Sequence, residues 1–490
     1  MAPSIQELYH DTVDNTTPNV KRLSSSFDPN DISINARPCD LGRVSGLIDD
    51  IASYNWGDID FSTDRNARIS LLSKARSLIA ALETPRETLL RHIGAETSNF
   101  YTIVIGIETN LFREMAKDNG SPKTATHLAE AISFDADLLR RILRHLASMN
   151  HIIQTGEDEY RPNNFSKALT TSPLAGSYQF YRDICIPAMS NLHKWLKTKS
   201  YQSPTAIIDN PFTFGHQTSQ TFFDMIASTA KNTEHFNNHM VAYCQGHPAW
   251  CSESVYPAAD RLISGFDPTP LPDGSDPVML VDVGGNVGHD LQTFISQHPS
   301  HPGRLVLQDL PSVIAVAPPS LTSPLPNGKH IQVQEHDFFT PQPVVGARAY
   351  YMHHIMHDWP DVKCVSILTR IKKAMKPGYS RLLINEQVIP EKKASWEATY
   401  LDLYMMVLFG ARERTEKEWR RLLEDGCGLK VLGVYGPGGG VEGIVEREVA
   451  LEEGEGSRDG TGEYDGYRCM EGKEDQDKVT KGRRKMTRLV

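Results

Sequence analysis

The stretch YYMHHIMHDWPD, residues 350–361, carries the side chain best suited to moving a proton, His357. An imidazole titrates near neutrality and can accept a proton from a hydroxyl without a metal. Asp358 and Pro360 beside it also fit the start of a helix, an ordinary structural role for both. Two acids follow, Glu386 in LLINEQVIP and Glu413 in GARERTEKEW. Carboxylates close to a histidine should raise its pKa and orient its ring. Glu413 taken alone reads more readily as a solvated charge or a helix-start acid.

A second set of residues has the chemistry to hold a ligand. VDVGGNVGHD, residues 281–290, runs from an apolar strand into a glycine turn. Gly284 and Gly285 would bring bare backbone to a strand end, as nucleotide-like cofactors require. The middle glycine of the dinucleotide pattern G-x-G-x-x-G is absent, so a simple tight turn is the alternative. Asp309 in LVLQDLP can accept from both hydroxyls of a ribose, or else is a surface acid before Leu-Pro. Asp337 in EHDFFTP can accept from an adenine amino group while Phe338 covers the ring. Carboxylates ending three successive strands suit an adenosyl ligand without phosphates and would repel a polyphosphate.

These residues need a sheet to align them. From 278 onward VMLVDV, RLVLQD, IQVQEHDF, ARAYYMH, RLLINEQVI and KVLGVYG alternate with helical runs, which implies an α/β fold with a mostly parallel, doubly wound sheet. Upstream the spacing is helical. Helices from Ala125 to Ala131 and from Asp135 to Met149, then a strand pair around Gly156, make a winged-helix pattern. Residues 1–65 read as a loose extension, and the charged segment 451–490 as a disordered tail. The net charge of -10 disfavours nucleic acid as a partner. Seven scattered cysteines form no CxxC pair and no metal-spaced His/Cys cluster, so the metal expectation is none. With no secretory signal and no long apolar span, a soluble cytoplasmic protein without membrane partners is expected.

From about residue 70 to 450 the chain resembles the fungal and plant small-molecule O-methyltransferases, which include caffeate and sterigmatocystin methyltransferases. VDVGGNVGHDL, VLQDLP, HDFF, HHIMHDWPD, INEQVIP and ARERTEKEW occur in that family's order and spacing. The resemblance implies S-adenosylmethionine as cofactor and a Rossmann-like methyltransferase domain over 201–450. Over 66–200 it implies a mostly helical winged-helix domain that builds an intertwined homodimer. It places Gly284 and Gly285 at the methionine and ribose end of the cofactor, Asp309 at the ribose, and Asp337 with Phe338 at the adenine. His357 becomes the general base, flanked by Glu386 and Glu413. The family usually has Arg or Lys four residues before the base; here His353 takes that cofactor-side position. The acceptor is expected to be a phenolic, polyketide-like secondary metabolite. Phe222, Phe223, Met225, Met405, Met406 and Phe409 suit a flat aromatic pocket, although such stripes are often core. Two other readings stand beside this one. A methyltransferase-like fold can instead catalyse a cyclisation or rearrangement, an idea to which His353 gives footing. A DNA-binding regulator is suggested by the basic DLLRRILRHL and opposed by the net charge.

Overall fold

The computed structural model describes residues 32–449, apart from 55–56, 58, 316–320, 322, 324–329 and 437–441. The readings made for residues 1–31 and for the tail 451–490 lie outside the described residues. The chain divides into two compact units, Met1–Ile103 with Arg141–Asn150, and Val104–Arg140 with His151–Val490.

In the first unit the longest helix, Arg65–Leu82, begins where the sequence supplies a cap. The Asp64 carboxylate accepts from the Ala67 N–H at 2.9 Å, pairing a donor that a helix start would leave open. A Thr84–Glu87 capping box with Pro85 opens the next helix, Pro85–Leu90. Val44–Ala52, inside the stretch read as an extension, is helical as well. Ile69, Ile79, Leu82, Leu89, Leu90 and Ile93 of this unit are exposed.

Residues 123–162 hold two helices followed by a strand pair. Strand β1 (Lys123–Thr124) leads into helix Ala125–Ile132, capped by Thr124, and helix Ala136–Ser148 follows. Strands β2 (Ile152–Gly156) and β3 (Glu159–Pro162) pair antiparallel, and β1 adds to β3.

The second unit holds the large sheet. Its strands are β4 (Val278–Val283), β5 (Arg304–Asp309), β6 (Ile331–Glu335), β7 (Ala349–His353), β8 (Arg381–Ile389), β9 (Arg414–Thr415), β10 (Lys430–Tyr435) and β11 (Glu442–Glu448). The spatial order is β10-β11-β8-β7-β4-β5-β6, with β9 pairing the end of β8. β4 to β8 are mutually parallel, whereas β11 runs antiparallel to β8 and β10 antiparallel to β11. Side chains alternate between two cores, as a sheet buried on both faces requires. Val281, Val283, Tyr350, Met352, Leu382 and Ile384 pack on one face. Leu280, Leu305, Leu307, Tyr351 and Leu383 pack on the other.

The chain lays β5 and β6 on one side of β4, then returns to place β7 and β8 on the other. That reversal opens a crevice at the carboxyl ends of β4 and β7, where open α/β sheets bind ligands. No helix among the described residues is long and apolar enough to cross a membrane.

Candidate active site

At the end of β4 the backbone turns through Gly284 (φ 75°), Gly285, Asn286 (φ 52°) and Gly288 (φ 78°) into helix His289–Gln297. Three of these four residues are left-handed, a conformation cheap for glycine and tolerable for asparagine. Gly285 is needed for space instead. A Cβ there would stand 2.3 Å from the Asp282 carboxylate and 2.6 Å from Leu307 Cδ1. A Cβ at Gly284 would meet Ile355 Cδ1 at 2.7 Å and Phe338 Cε1 at 3.6 Å. The N–H groups of Gly284 and Gly285 both donate to the Gln308 carbonyl, at 2.8 and 3.1 Å, so the turn is pinned to β5.

Asp309, at the end of β5, accepts from the Asn286 N–H at 2.8 Å and the Leu310 N–H at 2.7 Å. The next backbone link, His336 N–H to the Asp309 carbonyl at 2.9 Å, brings the segment after β6 alongside. There Asp337 accepts from the Phe339 N–H at 3.0 Å, and Phe338 sits edge-on to Trp359. Gly284, Gly285, Asp309, Asp337 and Phe338 thus share one strand-end edge. Asp282, below the turn, is fully buried, and neither carboxylate oxygen has a hydrogen-bond partner among the described residues. Burial pushes its carboxyl well above the usual range; Asp290 adds to this and His353 opposes it.

His357 lies in the turn Met356–Asp358 just past β7, with the ring almost wholly buried. Its Nδ1 is 2.6 Å from Glu413 Oε1 and 3.5 Å from Glu386 Oε2. Sequence reasoning therefore grouped these three side chains as the fold does. Glu386, on β8, uses its other oxygen to accept from the Ile355 and Met356 N–H groups at 2.9 and 2.7 Å. That carboxylate fixes the turn as well as facing the ring. Glu413 is not a helix-start acid: Thr415 and Glu418 form the capping box of helix Glu416–Arg420. Asp358 caps nothing either, since helix Asp361–Ala374 starts without a side-chain cap. Its carboxylate instead lies 3.6 Å from His357 Nε2, and burial, with Glu386 and Glu413 adding, pushes its carboxyl well up.

The expectation that the acids raise the pKa of His357 is overturned. Burial pulls the imidazolium below its ordinary range and outweighs the opposing field of Glu386, while His353 and Arg414 add to the fall. Burial likewise pushes Glu413 up to about 8, against the pull of His354 and Arg414. The 2.6 Å contact places a proton between Nδ1 and Glu413 Oε1, and Nε2 is bare when that proton is on Nδ1 and Glu413 is a carboxylate.

A family model for the O-methyltransferase domain matches residues 258–428. O-methyltransferase mpaG of Penicillium roqueforti is 35% identical over 390 residues, covering 79% of this chain and 95% of that protein. The chain belongs to the O-methyltransferase family. Among solved structures, LepI in complex with S-adenosylmethionine matches with a TM-score of 0.71 at 28% identity, over 84% of this chain and 98% of that one. A pericyclic reaction enzyme matches with the same TM-score and identity, over 84% and 99%. The cofactor of this O-methyltransferase is S-adenosylmethionine. The residues present fit an adenosyl ligand: the glycine turn after β4 and the carboxylates of Asp309 and Asp337 share one strand-end edge.

Sequence reasoning missed part of the methyltransferase's site. His354 (φ 52°) stacks between His353 and His357, at 4.3 and 4.8 Å between ring centres. His353 Nδ1 is 2.8 Å from Asp290 Oδ2, and its Nε2 is 3.4 Å from Glu442 Oε2. Glu442 Oε1 also lies 2.9 Å from His354 Nε2 and 3.2 Å from His247 Nδ1. Burial pulls His353 down, yet Asp290 and Glu442 together carry it well above the usual histidine range, so it is an imidazolium. The run HHIMH was the available signal; nothing in the sequence pointed to His247 or Glu442. The proposed aromatic pocket divides in two. Phe222, Met405 and Phe409 are buried core, with Phe222 and Phe409 rings 4.7 Å apart, and only Phe223, Met225 and Met406 stay partly open.

Proposed function

We propose that this O-methyltransferase moves the methyl group of S-adenosylmethionine to a phenolic hydroxyl of a small aromatic, polyketide-like metabolite, with His357 as general base. The carrying observation is the His357–Glu413 pair at 2.6 Å, set at the crevice edge that also holds the glycine turn. When bound, S-adenosylmethionine supplies an electrophilic methyl on a sulfonium cation. Gly284 and Gly285 let its bulk approach the backbone, Asp309 takes the ribose hydroxyls, and Asp337 with Phe338 takes the adenine. His353 keeps a positive charge under this edge. Nε2 of His357 accepts the phenolic proton, and Glu413 with Glu386 stabilises the imidazolium that forms.

Reference pKa values near 10 for a phenol and 6.5 for an imidazole put full proton transfer at roughly 5 kcal/mol uphill. Burial of His357 widens that gap. The sulfonium beside the phenol narrows it, and positioning of nucleophile and methyl supplies much of the rest. The partly open Phe223, Met225 and Met406 suit a flat acceptor. In the same reading the chain is a homodimer, joined through the exposed apolar side chains of the first unit, such as Ile79, Leu89 and Ile93. Light scattering at micromolar concentration should report twice the protomer mass, and a monomer would contradict this.

The test of function is incubation with methyl-labelled cofactor and a panel of polyhydroxylated aromatics, read by mass. Label on a phenolic oxygen is expected; no labelled product from any phenol rejects the proposal. A rearrangement reading is favoured by one observation, the similarity to a pericyclic reaction enzyme. Its mark would be an acceptor converted to an isomer of unchanged mass.

A further inference from the structure

His353, His354 and Glu442 each offer one ligand atom, and these atoms lie within 4.8 Å of one another. We propose that they form a binding site for a divalent zinc-like cation, with His247 closing the fourth position. The inference does not rest on the methyl-transfer reading, although His353 also takes the cofactor-side position in that reading.

Three features point to a cation. The first is spacing. Tetrahedral zinc with ligand bonds of about 2.0–2.1 Å sets neighbouring ligand atoms roughly 3.3 Å apart. Glu442 Oε2 stands 3.4 Å from His353 Nε2, and its Oε1 stands 2.9 Å from His354 Nε2 and 3.2 Å from His247 Nδ1, close to that spacing.

The second is polar satisfaction. His353 Nε2 and His247 Nδ1 are both buried atoms that approach Glu442 at 3.4 and 3.2 Å without meeting hydrogen-bond geometry. Buried nitrogens rarely stay so, and both face the same carboxylate. The third is the surrounding shell. His353 turns its other nitrogen, Nδ1, to Asp290 Oδ2 at 2.8 Å, the carboxylate–histidine arrangement that orients metal ligands.

The donor set of three imidazoles and one carboxylate selects zinc or cobalt over magnesium or calcium, which prefer oxygen shells. Residues from three places are tied together: the loop after helix Ala230–Cys244, the end of β7 and the start of β11. Binding should therefore stabilise the folded chain by mass action.

The experiment uses tag-free full-length protein stripped with a chelator, then given Zn²⁺ or Co²⁺ and passed over a desalting column. One ion per protomer by elemental mass spectrometry is expected. A rise in melting temperature should accompany it, and the cobalt form should show the intense visible bands of tetrahedral coordination. His354→Gln should abolish retention. Asp290→Asn, which leaves all ligands present, should weaken affinity by about 10–100-fold. His247→Gln alters a partly exposed residue and serves should His354→Gln fail to fold; it too should lower affinity. The proposal is overturned if no ion is retained, if Mg²⁺ competes equally, or if folded variants bind as the parent does.

Discussion

Replacing His357 by alanine separates proton transfer from cofactor binding. The ring is almost wholly buried and is the shared partner of Glu413 and Glu386, so its loss leaves two acids around a void. That void does not hold two bare charges. Burial already pushes Glu413 up to about 8, so it keeps a proton near pH 7, and Glu386 still accepts the Ile355 and Met356 N–H groups. The variant should fold. General-base catalysis is worth about 10²–10⁴ in rate, which converts to roughly 3–5 kcal/mol of barrier. Turnover, followed as label moved from the cofactor to a phenol, should fall by that factor. Cofactor affinity by calorimetry should change less than about threefold, because the glycine turn and Asp309 are untouched. Turnover near the parent's would refute the assignment and leave the phenol ionised by solvent, with proximity as the only catalyst. Abolished cofactor binding in a folded variant would refute it in the other direction.

Asp309→Ala should do the reverse, weakening cofactor binding by about 1–3 kcal/mol as a charged acceptor is lost; unchanged affinity by calorimetry would remove Asp309 from the cofactor set. Gly285→Ala places a methyl 2.3 Å from the Asp282 carboxylate and 2.6 Å from Leu307, an overpacking that should cost about 1–3 kcal/mol in denaturant titration and weaken cofactor binding with it. A parent-like midpoint with parent-like affinity would show the turn to be roomier than described. Glu413 carries a pH signature. Its folded pKa of about 8 exceeds the ordinary carboxyl value of 4.5, so between these limits the folded state holds more protons and its stability falls as pH rises. Glu413→Gln should flatten the decline of melting temperature from about pH 5 to 8; an unchanged slope would show that Glu413 titrates normally.

What could be read in the sequence was local in the chain. The strand at 278–283 and its glycine turn sit within a dozen residues of each other, and the apolar run stops where the turn begins. His357 stood out by type, and Glu386 by ending the next strand. β11 escaped because EGIVERE carries four charges in seven residues, a pattern that reads as solvent-facing. In the fold Glu446 is buried because Arg261 and Arg381 reach it from elsewhere in the chain. Such neutralisation over long sequence separations leaves no periodicity. Glu442 was hidden for the same reason, and with it the cluster at His353. The sign of the His357 shift was misread because neighbouring acids can be counted in a sequence, whereas the depth of burial cannot. Phe222, Met405 and Phe409 show a further limit: an apolar stripe reveals that a face is covered and not whether side chains or a ligand cover it.

The weight given to methyl transfer over rearrangement turns on His353. As a residue type, histidine where the family resemblance leads to Arg or Lys looks like the loss of a cation, and a site losing its cofactor function would show that. The fold supplies what the residue type lacks. Asp290 at 2.8 Å and Glu442 at 3.4 Å hold the ring as an imidazolium, so the cation is retained by its surroundings. The glycine turn, the Asp309 contacts and the His357–Glu413 pair are likewise intact. His353→Arg makes the comparison experimental. If His353 acts as a cation, arginine should leave methyl transfer within a few-fold of the parent, whereas His353→Gln should weaken cofactor binding by tenfold or more. Equal losses in both variants would mean that the imidazole itself, and not its charge, is what the site requires.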